Sequence, residues 1–179
     1  MLQTDKTQCL IVDVQEKLLP LVHRKDDCFS KLRILIQGCM VMNIPLTFTE
    51  QVPEKLGETV APIRSFLNDF QAIPKKSFSC LAQEACLKVL KDHKRPCVLL
   101  AGIETHVCVY QTAVDLINEG FEVHLVCDAT SSRDLEDHKI GIHKIEKSGG
   151  ILTSTETAMF ELLKEAEGEI FRAIIKMVK

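Results

Sequence analysis

In "PCVLLAGIETHVCVYQTA" an apolar, β-like run ends near Gly102 and helical spacing begins at Thr105, which puts Cys108 in the first helical turn. A cysteine attacks only as thiolate, and a helix N-terminus or a nearby cation favours that form. Two other groups fall at comparable places. Asp13 follows the apolar residues of "QCLIVDV", and Lys75 and Lys76 follow a third short run, "FQAI". A carboxylate can take the thiol proton and return it to a leaving group, and a lysine can stabilise developing charge. Backbone N–H groups at the helix start would form an oxyanion hole, so the set describes acyl transfer through a covalent intermediate. Each residue also has a structural reading. Cys108 could be a small core residue, Asp13 a turn cap, and the lysines a solvated surface pair.

The elements that must position these groups alternate along the chain. Strand-like runs fall at 8–14, 44–49, near 70–73, 97–102, 122–129 and 151–154. Helical spacing occupies 30–42 with Ser30 as N-cap, 80–93, 105–119 closed by Gly120, 134–147, 155–167 and the terminal "EIFRAIIKMV". Residues 52–67 read as a loop with a short helix. This order predicts one α/β domain over 1–179, a three-layer, doubly wound, mainly parallel six-stranded sheet with helices on both faces. In such a sheet ligands bind beyond the carboxyl ends of the strands, where strand order reverses. The first and fourth strands flank that point, so Asp13 and Cys108 should face one crevice. The same argument does not place Lys75.

Composition narrows the chemistry. A hydrophobic fraction of 46% with 26% charged residues describes a chain that buries a core. The formal charge of −3 gives no basic field for nucleic acid, and no run approaches the roughly 20 residues of a membrane span. With no signal-peptide pattern at the start, a cytoplasmic location is expected. The eight cysteines include no C-x-x-C pair, which argues against paired-ligand zinc sites and for reduced, mostly buried thiols.

Four segments carry a resemblance to the isochorismatase-like cysteine hydrolases: "IVDVQ", "IPKKSFS", "GIETHVCVYQTA" and "VCDATSSR", in that order. "TEQVPEKLG" is similar to the branch of small isochorismatase-domain hydrolases. The resemblance implies a catalytic triad of Asp13, Lys75 and Cys108, with the spacing to Phe78 selecting Lys75 over Lys76. It implies hydrolysis of C–N bonds in small amides or carbamoyl compounds and a non-proline cis peptide at Glu104–Thr105 beside the oxyanion hole. It also implies a homo-oligomer, for which the terminal helix offers an apolar face. By position, Gln15, Gln51, His106 and Tyr110 are candidates for the substrate pocket. His138 and His143, five apart on a helix, read as surface positions.

Departures from the family pattern limit the activity. Metal-binding nicotinamidases carry histidines after the second strand, and "TEQVPEKLGETV" has none, so neither a metal nor a cofactor is expected. Isochorismatases that cleave a vinyl ether lack the nucleophilic cysteine, which this chain has. Besides a small-molecule hydrolase, the chain could be a non-catalytic, oligomeric metabolite-binding or scaffold member of the fold. A nuclease would need the basic surface and clustered carboxylates that the sequence lacks.

Overall fold

The computed structural model describes residues 1–178, in which six strands form one sheet. The strands are β1 (Thr7–Val12), β2 (Leu46–Gln51), β3 (Ala72–Lys75), β4 (Cys97–Ile103), β5 (Glu122–Ser131) and β6 (Ile151–Thr153). Their order is β3-β2-β1-β4-β5-β6 and every pairing is parallel. Buried on both faces, the central strands carry near-continuous apolar runs such as "CLIV" and "VLLA". Helices α1 (Lys25–Val41), α7 (Thr155–Leu163) and α8 (Gly168–Val178) cover one face. Helices α4 (Glu84–Asp92), α5 (Tyr110–Asn118) and α6 (Leu135–Lys147) cover the other. Two short helices, α2 (Pro53–Leu56) and α3 (Ala61–Arg64), fill the segment after β2. The sheet is therefore the doubly wound one expected, with its strand order reversing between β1 and β4.

Several boundaries differ from the sequence pattern for identifiable reasons. Helix α1 starts at Lys25 rather than near Ser30, because Arg24 turns the chain at φ 49° and Asp26 and Asp27 sit favourably in the first turn. Strand β3 runs past Ile73 to Lys75, since Pro74 lies on an edge strand, where a missing N–H is tolerated. The helix expected from Thr105 begins instead as a π-helical turn, Thr105–Val109, with Val109 N–H donating to the Glu104 carbonyl at 3.2 Å. The apolar face of α8 is only partly engaged: Ile174 is fully buried in the core cluster shared with α1 and α7, while Ile170 is 44% exposed. Among the described residues no helix is long and apolar enough to cross a membrane.

One glycine fixes how closely the central strands approach. Gly102 in β4 lies opposite Val12 of β1 with φ 116°, and a Cβ there would stand 2.1 Å from the Val12 carbonyl oxygen. No side chain fits that gap. The ends of β1 and β4 are thereby drawn together, and the residues that follow them share one crevice.

Candidate active site

Asp13 leaves β1 in a left-handed conformation, φ 52°, which a short polar side chain tolerates better than a bulky one. Its carboxylate is fully buried, which is costly for a charge unless it is paired and hydrogen-bonded. Lys75 supplies the pair: its Nζ donates to Asp13 Oδ2 at 2.7 Å, with both side chains inaccessible. Thr49, at the end of β2, donates its hydroxyl to Asp13 Oδ1 at 2.8 Å. Lys75 also donates to Gln51 Oε1 at 2.6 Å and to the carbonyls of Ser77 and Phe78 at 3.2 and 3.1 Å. Burial works against its ammonium, but the charge and hydrogen bond of Asp13 help to outweigh that and raise its pKa. Lys76, by contrast, is exposed.

Lys75 reaches Asp13 from two strands away, a span of roughly 10 Å across a sheet. The register explains how. Gln51 lies directly beside Lys75, and its side chain bridges the gap by accepting from Nζ and donating to the Lys76 carbonyl at 2.7 Å. Gln15 clamps the same region: its amide donates to the Gln51 and Gly57 carbonyls and accepts from the Gln51 N–H. Both glutamines therefore have their polar atoms engaged within the protein, as positioning groups for the lysine and its loop.

Cys108 lies in the π-helical turn, only 6% exposed. Burial pushes its thiol well above the ordinary range. The neighbouring Asp13 raises it further through charge and hydrogen bonding, and Lys75 opposes the rise. At rest it is a thiol beside a carboxylate, a state that needs a base before the sulfur can attack. A second thiol, Cys80, stands 3.5 Å from the Thr49 hydroxyl and accounts for part of the local packing.

The cis peptide is present, but at Ile103–Glu104, one residue before the expected Glu104–Thr105. Strand β4 continues through Ile103, so the change of direction falls at the strand's last bond. The turn that follows is held from outside. Glu104 accepts from the backbone N–H and Nε of Arg133 at 2.9 and 3.0 Å. His106 Nδ1 is 2.9 Å from the Ser132 hydroxyl, and buried Thr105 shares a 2.8 Å hydrogen bond with His138 Nδ1. His138 is thus half-buried against the turn that bears Cys108, not a surface residue, because α6 packs its start onto that turn; His143, five residues on, is exposed. The Tyr110 ring lies under the Lys144 ammonium of α6 at 4.4 Å. Asp128, within β5, holds the start of α7 by accepting two hydrogen bonds from Thr155.

Gly141 makes the α6 contact possible. A Cβ there would lie 2.9 Å from both the Cα and the N of His106, and 3.0 Å from the Thr105 carbonyl carbon. Against open space, Gly→Ala in a helix stabilises by about 1 kcal/mol. Here the neighbour is backbone that cannot rotate away, so Gly141→Ala is expected to destabilise by about 1–3 kcal/mol in denaturant melts. It should also shift the Cys108 turn, and a displacement near 1 Å can cost about a hundredfold in rate. A stabilised variant would contradict this packing.

Among the described residues no group of three or more His, Cys, Asp or Glu side chains is arranged to hold a metal ion. Comparison with known proteins adds a family, two relatives and two solved structures. A model of the Isochorismatase domain matches residues 7–157. "Isochorismatase domain-containing protein 1" of Danio rerio is 35% identical over 167 residues, covering 93% of this chain and 59% of that protein. The chain therefore spans about three-fifths of that relative's length. "Isochorismatase family protein 1A" of Dictyostelium discoideum is 33% identical over 171 residues, covering 93% and 83%. Among solved structures, one titled as the MAR1 ribonuclease of Caenorhabditis elegans superposes with a TM-score of 0.92 at 31% identity, covering 99% of this chain and 91% of that one. The YcaC gene product of Escherichia coli, described as an octameric hydrolase of unknown specificity, gives 0.90 at 23% identity over 99% and 86%, a likeness of fold alone.

Proposed function

Because the chain belongs to the isochorismatase family, we propose that it is a metal-independent cysteine hydrolase that cleaves the C–N bond of a small amide or carbamoyl compound. The observation that carries this reading is the fully buried Lys75–Asp13 pair set against the Cys108 thiol. In the first half-reaction Asp13 takes the thiol proton as the sulfur adds to the substrate carbonyl carbon. Backbone N–H groups of the turn from Glu104 to Cys108 stabilise the resulting oxyanion. Asp13 then returns the proton to nitrogen, the C–N bond breaks, and an amine leaves a thioester on Cys108. In the second half a water gives its proton to Asp13 and adds to the same carbon. The carbon–sulfur bond breaks, the acid departs and the thiol is restored. Lys75 stays protonated throughout, orienting the carboxylate and offsetting the charge that develops near it.

The ribonuclease named in the C. elegans relative's title is a less suitable reading for this chain. RNA binding calls for a basic surface, while this chain carries −3, and Lys75 is enclosed by Asp13, Gln51 and two carbonyls. The non-catalytic reading would leave the buried pair beside a thiol without a use. A homo-oligomer of this single domain is also proposed, with exposed Leu21, Phe78, Ile140 and Phe160, and Ile170 of α8, as contact candidates. The test of function is amine release from a panel of small amides and carbamoyl compounds. Wild type should turn over at least one, and Cys108→Ala should fall to background, a loss of about a thousandfold or more. Turnover unaffected by Cys108→Ala would end this reading.

A further inference from the structure

A cavity of about 180 Å³, lined by charged, imidazole and apolar side chains, lies between the start of α1, the end of β5 and α6. At 10–15 Å³ per water it has room for roughly a dozen, enough for a small metabolite. Its hydrogen-bonding balance is uneven. Arg24 uses only Nε, on Asp27 Oδ2, and Lys31 stands 3.9 Å from Asp128 Oδ2, too far for a hydrogen bond. Asp128 Oδ1 is taken by the N–H and hydroxyl of Thr155. Among the described residues the His23 ring, His138 Nε2, the Arg24 Nη groups and the Lys31 ammonium donate to no protein acceptor. The Arg24 and Lys31 side chains are 70% and 38% exposed and are matched in charge by Asp27 and Asp128, so the two imidazoles add donors beyond that balance, a set suited to an anionic acceptor.

We propose that this cavity binds a small oxyanion, a carboxylate or phosphate group, and that its occupancy reaches the nucleophile turn through His138. His138 belongs to both places, lining the cavity while its Nδ1 shares the 2.8 Å hydrogen bond with Thr105. A neutral imidazole carries one N–H. An oxyanion on the cavity side holds that proton on Nε2, which makes Nδ1 an acceptor and fixes the Thr105 hydroxyl as donor. The ligand thereby selects one hydrogen-bonding state of the turn that bears Cys108. Burial and nearby His23 disfavour the cation of His138, in keeping with an imidazole that stays neutral when the anion binds. The binding stands on the cavity alone; the coupling rests on Cys108 being the reactive thiol.

The test titrates the protein with inorganic phosphate, and separately with malonate, at fixed pH and ionic strength with chloride as control. The ring protons of the histidines are followed by NMR. His23 and His138 should shift saturably while exposed His143 does not, and the tighter of the two anions identifies the head group. Lys31→Met should weaken binding about tenfold or more, leaving alkylation of Cys108 in the absence of anion unchanged. Bound anion should change the iodoacetamide alkylation rate at Cys108, mapped by peptide mass, by about fivefold or more. Thr105→Val should keep the binding and lose that response. Linear drift, or equal shifts at His143, overturns the site. Binding that leaves alkylation unchanged overturns the coupling. If Cys108 does not alkylate under any condition, the hydrolase reading and the coupling fall together, and the histidine shifts still decide the cavity.

Discussion

Lys75→Met is expected to lower the melting temperature by roughly 6–20 °C and to abolish turnover. Asp13 and Lys75 are both inaccessible to water, so the variant leaves a buried carboxylate with only the Thr49 hydroxyl and the Cys108 thiol as donors. Removing one partner of a buried pair costs about 3–5 kcal/mol, and in a chain of this size each kcal/mol moves the melting temperature by about 2–4 °C. The cost belongs to the orphaned charge more than to the lost attraction. Adding Asp13→Asn to Lys75→Met should therefore recover much of the stability while leaving the protein inactive. Thermal melts of both variants under reductant check this. A loss below about 1 kcal/mol, the scale of an exposed pair, would mean that water reaches this pair in solution.

Asp13→Asn should separate two properties of Cys108 that usually move together. Turnover falls by roughly a hundredfold to ten-thousandfold, because the proton has no acceptor. Alkylation at Cys108 rises. The sign follows from the causes of the raised pKa: burial is the largest and remains, while the negative charge and hydrogen bonding of Asp13 are removed and Lys75 continues to favour the thiolate. Below the pKa, each unit by which it falls gives about ten times more thiolate. The fold should tolerate the change better than Lys75→Met, since the ammonium keeps Gln51 Oε1 and the carbonyls of Ser77 and Phe78 as acceptors. Peptide-mapped alkylation between pH 7 and 9 beside amine release measures both effects. A parallel fall in the two rates would show that Asp13 only holds the turn in shape, and a rise at all eight cysteines would show unfolding.

What could be read from the residues depended on how local the determining interaction is. The crevice between β1 and β4 follows from strand–helix alternation and the parallel-sheet rule, which bring Asp13 and Cys108 to one edge. Lys75 does not follow from it. Its strand sits at the sheet's edge, continues through a proline that reads as a stop, and depends on Gln51 to carry its side chain inward. The cis bond lies one residue from its expected place because the extent of β4 is set by pairing with β1 and β5, not by its own composition. His138 looks like a surface residue from helix spacing alone. Only the approach of α6 at Gly141 brings it against Thr105, thirty-three residues away in the chain. The partners of the polar atoms of Gln15 and Gln51 are likewise set by tertiary contacts, which position at a strand end does not specify.

The covalent step is the central claim, and intact-protein mass spectrometry addresses it most directly. Wild type and Cys108→Ala are each mixed with the amides that release amine and quenched in acid during turnover. The account predicts an added mass equal to the substrate's acyl group on wild type only, mapped to Cys108 after digestion and removed by hydroxylamine. Turnover with no adduct at any quench time, or an equal adduct on Cys108→Ala, would contradict it.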